Sequence, residues 1–283
     1  MSIVCACLLP GSPLPYVRRD NPPWGALAAA MEAAGAVVAA CEPETLIVYS
    51  TQWFAVLDQL WLTRPRMQGL HVDENWHEYG DLPFDFAIDV ELANRIIPAT
   101  AAAEVRSKGV DYDGFPVDTG SIVANAFLNP ADRYPLVVAS NNLYHDWSTT
   151  HALGRIAAAE AGALGRRTAI VGVGGLSGAF FRGDIDIAND HIVRAEDDAW
   201  NRRLLDLIVA GDTARLLEAV PAYAAEARVD MGFKHLAFIL GALGDRYAGA
   251  EVHGYGPLYG AGGAVVTFRP QADRAKADPR HGV

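Results

Sequence analysis

The sequence predicts an α/β domain built on a largely parallel, two-sided sheet. Three observations carry that expectation. Short apolar runs rich in small and β-branched residues recur along the chain. They alternate with longer helical stretches, the pattern of strands joined by helical crossovers. The runs are apolar throughout, which fits strands covered on both faces.

"SIVCACLL" reads as the first buried strand and ends at Pro10. The Ala-rich stretch from Trp24 to Cys41 is long enough for a helix. "TLIVYS", Thr45 to Ser50, is a second buried strand. "DVELANRI" opens with an Asp cap and reads as a short helix ending before Pro98. Asp118 to Leu128 reads as another helix. "PLVVAS", Pro135 to Ser140, is a third strand, followed by the helix "TTHALGRIAAAEAGAL". Arg167 to Val173 is a fourth strand. "AEDDAWNRRLLDLIVAG" is an amphipathic helix stopped by Gly211. "DMGFKHLAFILGAL" is a more apolar, buried helix, and "AEVHGYG" and "GGAVVTF" are closing strands. One domain is expected over residues 1–270, with a polar, disordered tail at 271–283.

The formal net charge is −11, which argues against nucleic acid or an anionic membrane as partner. No apolar run is read as a membrane span, and the N-terminal stretch has no basic region typical of a signal peptide. A cytoplasmic location is expected. The three cysteines, Cys5, Cys7 and Cys41, do not form a C-x-x-C motif, and Cys5 and Cys7 read as small core residues on one strand face.

In open α/β sheets the ligand crevice lies outside the carboxyl ends of the strands. Four loops qualify: "PGSPLP", "STQW", "SNNLYH" and "GGLSG". "VGVGGLSG" matches a dinucleotide loop loosely, because the third glycine of the motif would fall on Ser177. "GLSGA" is one residue short of a nucleophile elbow, with His235 and His253 downstream, so a Ser177 hydrolase is a rival. "HVDENWHEYGD" is rich in metal-binding residue types, and His71, Glu74 and His77 are its candidate ligands. It lacks the spacing of known short metal motifs, and an exposed polar loop is the plainer reading.

Read together, "LLPGSPLP", "IVYSTQW", "HVDENW", "DYDGFPVDTGS", "VVASNNLYH", "IVGVGGLSG", "EARVDMGFKHL" and "HGYGPLYGAGGAVV" resemble the class III (type II) extradiol ring-cleavage dioxygenases. The resemblance runs in matching order from about Ser2 to Pro270 and is strongest to the α-type subunits of members that cleave 2-aminophenol. It implies a central mixed, largely parallel sheet flanked by helices on both faces.

Catalytic members hold Fe(II) with two histidines and a glutamate, and a further histidine is acid and base. The resemblance places the first histidine at Gly11 and the second at Gln52. It places the glutamate at Asp230, with Glu226 as the other match, and the acid/base histidine at Gly178. It therefore implies a chain with no catalytic residue and no metal, paired with a homologous β-type subunit that carries the Fe(II). Two alternatives stand beside it. One is a dioxygenase using unconventional ligands such as His71, Glu74 and His77; the other is an aromatic-binding protein using the vestigial pocket. That pocket is expected to be lined by Gln52, Asn141, His145 and Ser177. Trp53, Phe54 and Trp61, with "HVDENWHEY" beside them, are candidate subunit contacts.

Overall fold

The structure, a computed structural model, describes residues 2–178 and 185–271. The expected tail lies outside the described residues from 272 onward. In chain order the elements are β1 (Ile3–Leu9), α1 (Leu14–Val17), α2 (Pro22–Ala40), β2 (Thr45–Ala55), β3 (Gln59–Leu62), β4 (Arg66–His71), β5 (Leu82–Ala87), α3 (Val90–Ala99), β6 (Ser107–Val110) and α4 (Thr119–Leu128). They continue with β7 (Leu136–Asn142), α5 (Trp147–Ala163), β8 (Thr168–Val173), α6 (Ala195–Ala210), α7 (Thr213–Glu226), α8 (Lys234–Leu243), β9 (Tyr247–Leu258) and β10 (Ala261–Pro270).

The main sheet has the order β6-β3-β7-β2-β8-β1-β10-β9. Its centre, β7-β2-β8-β1, is parallel. β10 and β9 close one side antiparallel, and β3 joins β7 antiparallel at the other. The sheet is thus mixed and mostly parallel, as expected. Every residue of β7 and β8 is buried, which explains why those runs show no polar alternation.

Alternate residues of each strand feed two cores. Ala6, Leu8, Ile47 and Tyr49 face a cluster completed by α3, α5, α6, α7 and α8. Cys5, Cys7, Leu46 and Val48 face the other, completed by α2, α4 and the β4-β5 hairpin. Cys5 and Cys7 are free thiols in that second core. Four helix starts are fixed by aspartates. Asp89, Asp118, Asp146 and Asp212 accept the N–H groups of Leu92, Ser121, Thr149 and Arg215.

The structure corrects several expectations. α3 does not stop before Pro98 but includes it. The proline falls in the last turn, where few hydrogen bonds remain to be lost, and the chain tightens into a 3-10 turn over Thr100–Ala103. β3 to β6 and α7 were not anticipated. α2 is in fact long and apolar enough to cross a membrane by length and composition, yet Trp24, Leu27, Met31 and Val38 bury its inner face in the core. Trp53 and Trp61 are core residues rather than surface contacts. Trp61 is fully buried and donates to Ser107 at 3.3 Å, and Trp53 packs edge-on to Phe115. Phe54 alone of the three is exposed.

Candidate functional site: the carboxyl rim of the sheet

Gly11 follows β1, Gln52 lies late in β2, Asn141 is next to last in β7, and Gly174 to Gly178 follow β8. The parallel register of these strands brings all four loops to one rim. The segment before α8 reaches the same rim, through an unusual backbone. Arg228, Met231, Gly232 and Phe233 all have positive φ. Three of them carry side chains, so the conformation is strained. It delivers Asp230, Lys234 and His235 to the strand ends.

Gly11 and Gln52 are neighbours, as the two histidine positions must be. A methyl group on Gly11 would lie 2.9 Å from Cδ and Nε2 of Gln52. Gly120, in the first turn of α4, presses from the other side, its would-be Cβ 3.1 Å from Gln52 Oε1. That oxygen is buried and has no hydrogen-bond partner among the described residues. Ser50 beside it donates to the Asp118 cap. The glutamine side chain thus fills the space that a side chain at position 11 would need.

Asp230 is turned inward. Its Oδ2 accepts from the Thr51 hydroxyl at 2.6 Å and from the Gly175 N–H at 2.9 Å. Burial raises its pKa above the usual carboxylate value, and those two hydrogen bonds pull the other way. The other match, Glu226, accepts from the Trp200 indole at the exposed end of α7.

Lys234 forms the second half of the rim. Its Nζ is buried and donates to Asn142 O at 2.9 Å, Asn141 Oδ1 at 3.3 Å and Leu143 O at 3.5 Å. Burial lowers its pKa, opposed by Asp146. His145 is its neighbour, and burial followed by the Lys234 charge lowers the imidazole pKa. Asn141 also accepts from the Tyr49 hydroxyl at 2.9 Å and donates to Thr51 O. His235 is fully buried, and a Cβ on Gly174 would lie 2.5 Å from its Nδ1. Burial holds its pKa down at about 3.

Ser177 bridges to Val229, next to Asp230, and reaches α6 and, through it, α7. The Ser177 Oγ accepts from Asn201 Nδ2 at 2.9 Å, and Asn201 Oδ1 accepts from the Tyr223 hydroxyl at 2.7 Å. Among the described residues no histidine bonds Ser177, so the elbow-like sequence lacks a base. A Cβ on Gly178 would sit 2.9 Å from the Arg228 carbonyl oxygen. Asn141 links the two sides of the rim, donating to Thr51 O beside Gln52 and accepting from Lys234, while Ser177 bonds Asn201. A cavity of about 670 Å³ lies at the opposite end of β1, lined by residues such as Ser2, Arg155 and Pro270.

"HVDENWHEYGD" is the turn of the β4-β5 hairpin rather than a plain loop after the second strand. His71 Nε2 pairs with Thr119 Oγ1 at 2.8 Å, and that hydroxyl donates to Asp73. His77 is exposed, its Nδ1 3.3 Å from the Glu74 carbonyl oxygen. His71 is thus bound to Thr119, and His77 meets the Glu74 backbone rather than its carboxylate. Among the described residues no group of three or more His, Cys, Asp or Glu side chains could hold a metal. Trp76 packs edge-on against Tyr259 and stacks with Tyr79, over which the Arg18 guanidinium lies. The turn is held down by its own chain.

The residues at the rim do not fit Fe(II). Neither histidine position offers an imidazole, and Asp230 Oδ2 is engaged by Thr51 and Gly175. Thr51 and Lys234 were missed from sequence, and His235 was read only as a possible base for Ser177. The signal was present at Lys234, a cation opening a helix read as apolar and buried.

A mixed sheet with these loops at one rim, carrying the strings noted above in order, defines a protein of the aromatic ring-opening dioxygenase class. The family model "Catalytic LigB subunit of aromatic ring-opening dioxygenase" matches residues 9–267, and the chain belongs to that family. It is 50% identical over 269 residues to the 2-aminophenol 1,6-dioxygenase alpha subunit of a Pseudomonas species, covering 95% of this chain and 99% of that protein. To the 2-aminophenol 1,6-dioxygenase beta subunit, also from Pseudomonas, it is 24% identical over 272 residues, covering 89% of each. The crystal structure of an uncharacterized Escherichia coli K12 protein matches with a TM-score of 0.62 at 15% identity, covering 93% of this chain and 99% of that one. That last likeness supports the fold. The family read from the sequence strings is the one found.

Proposed function

We propose that this chain is a noncatalytic α-type subunit of a heteromeric extradiol dioxygenase that opens the ring of 2-aminophenol or a related aromatic with O2. The Fe(II) and the ring cleavage belong to a homologous β-type chain, and the assembly works in the cytoplasm. The observation that carries this reading is the Gly11–Gln52 contact. Both histidine ligands are replaced, and the replacement side chain occupies the space between them. The blocked position at Gly178 and the identity to an alpha subunit support it.

The test is direct. The purified chain is given Fe(II) without oxygen, desalted and assayed for metal. It should retain far less than one iron per chain and should not consume 2-aminophenol. Adding the β-type chain from the same organism should yield a complex of both chains with ring-cleavage activity above that of the β-type chain alone. About one tightly held iron per α-type chain would overturn the reading.

A further inference from the structure

We infer that the side chains of Phe54, Val56, Leu57, Leu143 and Tyr144 form the apolar centre of the surface that docks the β-type subunit. The inference rests on the α-type reading above and assigns that reading a place on the molecule.

All five are large, apolar or aromatic, and exposed, with Leu57 81% and Tyr144 80% accessible. They come from the end of β2 with the turn after it, and from the loop after β7, at the carboxyl rim. Phe54 pairs in register with Asn141, and Ala55 with Asn142, so the residues that follow emerge side by side. From Ser50 to Leu57, and from Ala139 to Tyr144, there is no charged residue. A typical monomer scatters such residues singly, whereas contiguous apolar patches of several hundred Å² mark contacts.

The patch is also rigid. Leu143 N donates to Ala55 O at 2.9 Å, and Asn142 Nδ2 donates to Asp58 O at 3.2 Å, stitching the two segments together. Tyr144 N donates to Asn142 Oδ1, and the buried Lys234 ammonium holds the carbonyls of Asn142 and Leu143. Side chains presented on a fixed backbone lose less entropy on docking.

The exposure also says what docks. A small molecule is recognised in a concavity that buries most of it, and Leu57 and Tyr144 project into solvent instead. The five side chains leave about 600 Å² in water, most of the roughly 800 Å² per partner that a stable protein interface needs. A second copy of this chain would bring together two bodies each of net charge −11. A homologous β-type chain shares the fold and so has an equivalent β2–β3 corner, which lets two related chains meet through matching faces.

The experiment co-expresses the chain with the β-type chain from the same organism and reads complex formation by light scattering on a sizing column. The double variant Leu57→Asp/Tyr144→Asp should fold with an unchanged melting temperature, because both side chains are exposed. It should weaken the complex at least a hundredfold. Val209→Asp, on the exposed face of α6, should leave the complex intact. A double variant that assembles like the wild type overturns the inference while the α-type reading stands. Wild-type chains that never co-elute overturn both. A wild-type homodimer that the double variant splits, with the mixed complex unaffected, assigns the patch to a second copy and overturns the inference.

Discussion

Asp230 and Lys234 stand four residues apart in sequence, and their charges are held by different strands. The Asp230 carboxylate bonds to Thr51 and Gly175, after β8, while the Lys234 ammonium bonds to Asn141, Asn142 and Leu143 at the end of β7. The strained turn between them, with Met231, Gly232 and Phe233 all at positive φ, makes this separation possible. Each charge is satisfied by neutral groups, so each has its pKa moved by burial in the direction of its neutral form.

Lys234→Met should therefore destabilise the fold. It removes the donor from one buried and one partly buried backbone carbonyl and from one amide oxygen, at a cost of about 1–3 kcal/mol. Denaturant unfolding measures the loss. Hydrogen exchange at Leu143 and Tyr144 should rise selectively, since these residues follow the carbonyls that the ammonium holds. An unchanged midpoint would show that the lysine is not a clamp.

His235 makes stability depend on pH. Its folded pKa is held at about 3 by burial, against about 6.5 in an unfolded chain. Below about 6.5 the unfolded chain takes up a proton that the folded chain does not, so stability falls as pH drops from 6.5 toward 3. Between pH 7 and pH 5 this group should cost roughly 2 kcal/mol. The raised pKa of Asp230 acts in the opposite sense: as pH falls the folded form takes up its proton before the unfolded chain does, a gain complete once pH is below the unfolded carboxylate value. Denaturant midpoints of wild type and His235→Leu at pH 7 and pH 5 make the comparison. The variant should lose this part of the slope.

Asp190 is a structural anchor that no motif revealed. It accepts from the Trp24 indole at 2.8 Å and from the N–H groups of Tyr259 and Gly260 at 2.7 and 2.9 Å. It thereby ties the β9–β10 turn to α2. Asp190→Ala would leave three donors without a partner, and the loss should be roughly 3 kcal/mol or more. Thermal unfolding would register this as a large fall in midpoint, and a neutral result would contradict the anchoring role.

The central strands were legible because both of their faces are buried. Apolar runs such as "TLIVYS" and "PLVVAS" leave little room for another reading. β6, "SKGV", has no apolar run and is an edge strand whose pairing with β3 comes from tertiary packing. α7 carries Pro221 in its interior and does not present an unbroken helical pattern. At the site, the replaced ligands Gly11 and Gln52 could be located by matching strings. Their mutual contact could not, since it depends on how β1 and β2 flank β8. The aromatic string around Trp53 shows a further limit. Alternation along β2 buries Trp53 and exposes Phe54, and composition alone treats the two alike.

The Gly11–Gln52 contact makes a prediction that separates crowding from simple loss of a side chain. Gly11 is not in a left-handed conformation, so alanine meets no backbone strain there. Its new methyl would instead crowd the Gln52 amide at 2.9 Å and Val173 Cγ1 at 3.1 Å. Overpacking of this kind costs about 1–3 kcal/mol. Gln52→Ala alone removes side-chain packing but also removes a buried amide oxygen that has no described partner, so its own cost should be small. The double variant should then be more stable than the sum of the two single effects, because the methyl enters space the amide has left. A coupling of 0.5 kcal/mol or more in that direction, from unfolding free energies of all four proteins, is the expected result. Additive effects would mean that Gln52 does not occupy the space beside Gly11, and the main structural support for a closed iron site would be gone.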